Sequence, residues 1–166
     1  MNLPKADGRF QNQDSKEEEL SSKKRFENLE VYQTACKFDN LLCSIFTYER
    51  SQKDPGLRAQ VLNSSGSCQD NIAEGYERGG NAELMNFLRI AKGSIGESRS
   101  QVLRAKEREW ISQDECDSLI PLAESISKQL GGYLSYLKKS GMKGERYLKE
   151  PGPRYGSDID LLNLES

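Results

Sequence analysis

Two pairs of polar residues sit three apart in the middle of otherwise core-forming helices: Asn71 with Glu74, and Ser94 with Glu97. That spacing puts each pair on one helical face. If the two helices are antiparallel neighbours, all four side chains can meet, with Arg89 or Arg99 on the second helix to balance charge. Such a cluster can serve as a carboxylate pair for metal or acid–base work. It can also be a structural polar network that fixes helix register, because a buried carboxylate needs partners. The remaining residue types favour the structural reading. The chain has no histidine, which removes imidazole general bases, imidazole-dependent triads and zinc sites with histidine ligands. A di-iron bundle draws on Glu-x-x-His pairs, which are excluded on the same ground. No nucleophile stands beside a base, so no catalytic residue is assigned and the chain reads as a non-enzyme.

The four cysteines, Cys36, Cys43, Cys68 and Cys116, contain no CxxC pair, so neither a metal nor a cofactor is expected. They read as buried free thiols in a reducing, cytoplasmic setting. No stretch has the run of apolar residues that a membrane span needs, and no small-molecule substrate is evident.

The second chemistry is electrostatic. Net charge over the 166 residues is −2, so a uniformly basic nucleic-acid binder is excluded. The charge is uneven, however: Leu57–Arg108 carries a net +2 and Phe26–Glu49 a net −3. Lys92, Arg99 and Lys106 recur every seven residues, and Arg104 and Arg108 extend them toward the next turn. One side of a helix can present all three to phosphates, giving salt-dependent binding without base preference.

The elements that must position these groups are helices. Helix A is expected over 26–50, where Val31, Ala35, Phe38, Leu42 and Ile45 follow steps of four and three. The turn-forming run Ser51–Gly56 ends it. Helix B is expected over 57–78, with Val61, Ser65, Cys68, Ile72 and Tyr76 as its stripe and Gly75, Gly79 and Gly80 as its stop. Helix C, over 81–109, has Asn81 as its expected N-cap and Leu84, Leu88, Ala91, Ile95 and Val102 as its apolar face. Helix D, over 112–139, opens on the capping box Ser112-x-x-Glu115 and carries Leu119, Ala123, Ile126, Leu130, Tyr133 and Leu137. Pro121 inside it predicts a bend or break.

No segment alternates with the period of a strand. The fold expected is all-α: an antiparallel up-down four-helix bundle over 26–140. A charged arm (1–25) precedes it. A Gly/Pro-rich tail (141–166) follows, ending in the acidic-hydrophobic run Ile159–Leu164, which reads as tail or as a docking peptide.

Helices B and C also carry small residues away from the apolar stripe: Gly66, Gly93 and Gly96. Glycines on a solvated helix face cost about 1 kcal/mol each against alanine. Close approach of another backbone is the economical explanation, within the bundle or between copies.

The run Phe26-Glu27-Asn28-Leu29-Glu30-Val31-Tyr32, the motif Asn71-Ile72-Ala73-Glu74-Gly75, and Phe87-Leu88, Ile90-Ala91, Gly93-Ser94 and Glu97 together resemble the four-helix bundle proteins encoded by 23S ribosomal RNA intervening sequences. The resemblance spans about Phe26–Lys139. Members often carry an Arg pair after the Glu-Gly, where this chain has Tyr76-Glu77-Arg78-Gly79-Gly80. A looser similarity is to the accessory proteins of diversity-generating retroelements, which bind a reverse transcriptase and nucleic acid. The resemblance implies an up-down bundle and a ring-shaped homo-oligomer, a pentamer in family members. The partners expected are therefore further copies of the chain, with RNA or a ribonucleoprotein bound along helix C. The alternative is a protein–protein adaptor for an element-encoded enzyme such as a reverse transcriptase, without nucleic-acid contact.

Overall fold

The computed structural model describes residues 25–140. The 1–24 arm and the 141–166 tail, including Ile159–Leu164, lie outside the described residues. The helices are α1 (Glu30–Ile45), α2 (Pro55–Glu77), α3 (Asn81–Glu107) and α4 (Gln113–Ser140), with 3₁₀ turns at Phe26–Asn28 and Arg50–Lys53. No β-strand occurs among the described residues. Helix α1 packs on α2 and α4, α2 on α3, and α3 on α4, so the four close a square in chain order. The chain is an all-α four-helix bundle.

Every residue of the four stripes read from periodicity is buried, from Val31 on α1 to Leu137 on α4. Phe38, Leu42, Val61, Ile72, Leu88, Ile95, Leu119, Ile126 and Leu130 are among the large side chains at the centre of the bundle, Val61 and Ile72 being those of α2. Each contributes about 1.5–3 kcal/mol by leaving water, which holds α2 helical despite its poor-propensity middle, Asn63–Ser67.

The ends follow local chemistry. Helix α1 stops at Ile45, five residues before the sequence expectation. Phe46 leaves the helical region at φ −87° and ψ 58°, and its carbonyl accepts the Arg58 Nε–H at 2.8 Å. Asp54 caps α2 by accepting the Leu57 N–H at 2.9 Å, with Pro55 at the first helical position. Its other oxygen takes Arg108 at 2.7 Å, tying the start of α2 to the end of α3. The capping box on α4 is reciprocal. The Ser112 N–H donates to Glu115 Oε2 at 2.8 Å, and the Glu115 N–H donates to Ser112 Oγ at 3.1 Å. The Ser112 amide first, and then Arg50, hold the Glu115 carboxyl below the usual carboxylate range.

Two expectations need correcting. Asn81 is the first helical residue of α3 and is buried; Gly80 is the cap. The preceding Gly79 has φ 84°, the left-handed turn that separates α2 from α3. Pro121 does not break α4, which runs uninterrupted through it. Pro121 and Asp117 are both exposed, so water can take the Asp117 carbonyl that lacks its amide partner.

The seam between α2 and α3 is lined by small and polar residues. Ser64 Oγ donates to Gln101 Oε1 at 2.7 Å, and Ser98 Oγ donates to the Val61 carbonyl at 3.3 Å. Ser65 is buried beside them, and its hydroxyl has no partner. An orphaned buried hydroxyl destabilises, and alanine is the better helix former. Ser65→Ala is therefore expected to raise stability by about 1 kcal/mol in urea unfolding. A loss of stability would show that the hydroxyl is paired in solution.

Candidate functional site

The polar cluster forms in part. Asn71 Nδ2 donates to the Ser67 carbonyl at 2.7 Å and to Ser67 Oγ at 3.1 Å. Ser67 Oγ lies 3.1 Å from Ser94 Oγ, and Ser94 Oγ donates to the Ile90 carbonyl at 3.1 Å. Asn71 and Ser94 are thus joined through Ser67, which was not among the candidates.

The two carboxylates do not join them. Glu74 is exposed and pairs with Arg78 at 2.6 Å, one turn on. Arg78 also reaches Glu83 at 3.6 Å and lies 4.9 Å over the Phe87 ring. Glu97 is exposed and accepts from Gln101 Nε2 at 3.2 Å. Arg89 is exposed and makes no ion pair among the described residues. Register explains the separation. Ser67 faces Ser94 and Gly75 faces Phe87, so Glu74 lies near Phe87, about 15 Å along α3 from Glu97. A paired-carboxylate centre is not built here.

What replaces it was missed in the sequence. Gln101 is 2 % exposed, and its amide links buried Ser64 to the solvated Glu97. The signal was present: Ser94, Ser98 and Gln101 step by four and three along the edge of α3 next to its apolar stripe.

The glycines are also redistributed. A Cβ at Gly66, Gly93 or Gly96 would meet nothing within 4 Å, so none of the three marks a close approach inside the subunit. Gly75 does. Its Cβ would fall 2.6 Å from Phe87 Cβ and 3.4 Å from Leu84 Cδ1. This glycine stands inside α2, against α3, and does not stop the helix. The outer side of α3 is left smooth, with Gly93 and Gly96 open and Ile90 45 % exposed.

The cations line the seam between α3 and α4. Arg99 pairs with Glu124 across it at 3.6 Å. Lys92 reaches over α4, its Nζ 3.3 Å from where a Gly131 Cβ would be. Lys106 borders an open depression at the α3–α4 turn, beside Trp110 and the Arg50–Glu115 ion pair. Its charge opposes the effect of burial, which pushes the Cys116 thiol up. Arg104 is half-buried, and Arg108 is held by Asp54. Lys92, Arg99 and Lys106 thus share one edge and reach solvent, whereas Arg108 is committed to the fold.

The thiols differ in exposure. Cys68 and Cys116 are buried, and burial pushes the Cys68 thiol up to about 12. Cys36 is half-buried and donates to Gln69 Oε1 at 3.2 Å. Cys43 is exposed, against the expectation that all four are buried. Among the described residues no three His, Cys, Asp or Glu side chains are grouped to hold a metal ion. No helix there is long and apolar enough to cross a membrane.

A family model described as 23S rRNA-intervening sequence protein matches residues 27–132. A solved structure of a protein of unknown function, from the S23 ribosomal protein family of Bacteroides thetaiotaomicron, is similar at 20 % identity and a TM-score of 0.57. The match covers 63 % of this chain and 97 % of that one, and at this identity it shows a shared fold. No curated protein matches the chain.

Proposed function

The chain belongs to the 23S rRNA-intervening sequence protein family, and from that premise we propose that it is a non-enzymatic, self-associating helical scaffold, of ring type, that binds RNA along the α3 edge. The observation that supports RNA contact is the line of Lys92, Arg99 and Lys106, solvent-reaching and spaced by two turns of one helix. Arg104 adds to its charge near the α3–α4 turn. Repetition of this edge around an oligomer multiplies weak phosphate contacts into useful affinity.

Each bound chain neutralises about three phosphates, so binding to single-stranded RNA should weaken about 20-fold between 50 and 200 mM salt. A Lys92/Arg99/Lys106→Ala triple variant should remain folded by circular dichroism and lose most of this affinity. Unchanged affinity in the triple variant would sink the assignment. Absence of binding by the wild type at low salt would favour the adaptor for an element-encoded enzyme such as a reverse transcriptase.

Self-association is supported by the open face of α3 around Gly93. Because Gly93 touches nothing inside the subunit, Gly93→Leu should leave the monomer folded and lower the oligomer mass in light scattering. A wild type that is monomeric at micromolar concentration would overturn the ring.

A further inference from the structure

Lys92, Gly96, Arg99, Leu103 and Lys106 follow steps of four and three, so they form a single line along α3. Two contacts fix which part of α4 lies beside that line: Arg99 with Glu124, and Lys92 with Gly131. Antiparallel packing at this register sets Gly96 beside Ser127 and Leu103 beside Ile120. The result is a shallow furrow. Its middle is small, with open space above Gly96. Its next step is apolar: Leu103 is 44 % exposed and Ile120 only partly buried. Its rim holds three cations and two carboxylates, Glu124 beside Arg99 and Asp117 beside Lys106, which leaves the cations in excess.

An occupant matched to this furrow is apolar on one side and acidic on the other. The segment 158–165 of the same chain has that chemistry. It carries Asp158, Asp160 and Glu165, the apolar Ile159, Leu161, Leu162 and Leu164, and no cation. We propose that this segment docks in the α3–α4 furrow of its own chain, its leucines against Leu103 and Ile120 and its carboxylates toward Lys92, Arg99 and Lys106.

Chain length permits it. Residues 141–157 make a 17-residue connection that spans at most about 60 Å. Ile120 lies twenty residues back from Ser140, about 30 Å along α4. The tether makes docking intramolecular, so a modest contact is enough to populate it. A docked segment covers the cations assigned to RNA and competes with it, but the docking stands without the RNA reading.

The test is photo-crosslinking in the full chain, with Leu103 replaced by p-benzoylphenylalanine and products mapped by mass spectrometry. Crosslinks to residues 158–165 are expected, and Leu161, Leu162 and Leu164→Ser together should largely abolish them. The same group placed at Leu162 should capture the 96–106 stretch of α3. Mixing unlabelled chains with nitrogen-15-labelled chains identifies the source of the segment. Crosslinks confined to one chain support the proposal. Crosslinks between light and heavy chains assign the furrow to a second copy and overturn it, as does failure of either probe to join the two segments.

Discussion

Gly75→Ala is expected to lower stability by about 1–3 kcal/mol, and Gly75→Val by more. The added methyl would sit 2.6 Å from Phe87 Cβ. That atom is fixed to the backbone of α3 and cannot swing aside as a side-chain end can, so the two helices must separate. Separation also opens the contacts of Ser67 with Ser94 and of Ser64 with Gln101. Alanine regains about 1 kcal/mol of helix propensity, so the measured loss understates the clash. Gly66→Ala is the control, because nothing lies within 4 Å of its Cβ; that variant should be more stable than wild type by up to about 1 kcal/mol. Urea midpoints at constant m-value measure both. A Gly75→Ala protein as stable as wild type would refute the close approach.

The contrast between these glycines shows what periodicity can and cannot reveal. The apolar stripes were legible because one helical face repeats every three or four residues wherever the helix ends. Capping was legible at Ser112 and Glu115, where both partners lie within four residues of each other. Gly75 was misread as a helix stop because Gly79 and Gly80 follow it closely. Its role depends on Phe87, a residue on another helix, and only the register between α2 and α3 reveals that pairing.

The same limit applied to the polar cluster. Asn71, Glu74, Ser94 and Glu97 were grouped because their spacing matches, yet equal spacing on two helices says nothing about their relative offset. The actual offset brings Ser67 to Ser94 and turns Glu74 toward Arg78. For the cations, sequence located the line of Lys92, Arg99 and Lys106 but not its direction. Contact with Glu124 and Gly131 places that line on the α4 side of α3, beside Leu103.

Gln101→Glu is expected to destabilise the bundle by about 2–3.5 kcal/mol near neutral pH, within the ceiling set by an unfolded carboxyl that titrates at about 4.3. The new carboxylate would be buried, would keep the Ser64 hydroxyl as a donor, and would face the Glu97 carboxylate that now accepts from the Gln101 amide at 3.2 Å. Burial and the like charge both favour the protonated form, so the folded-state pKa lies above the unfolded value. A carboxyl shifted upward costs stability above its folded pKa and regains it as pH falls through that value toward the ordinary carboxylate range. The protonated acid restores the lost donor to Glu97. Stability relative to wild type should therefore recover between pH 7 and about 5. Gln101→Met separates charge from packing. It keeps the volume, and Ser64 still has the Val61 carbonyl at 3.2 Å as an acceptor, so its cost should stay under about 1.5 kcal/mol at both pH values. An equal, pH-independent loss in the two variants would mean that shape alone, and not the buried amide bridge from Ser64 to Glu97, fixes the register of α2 on α3.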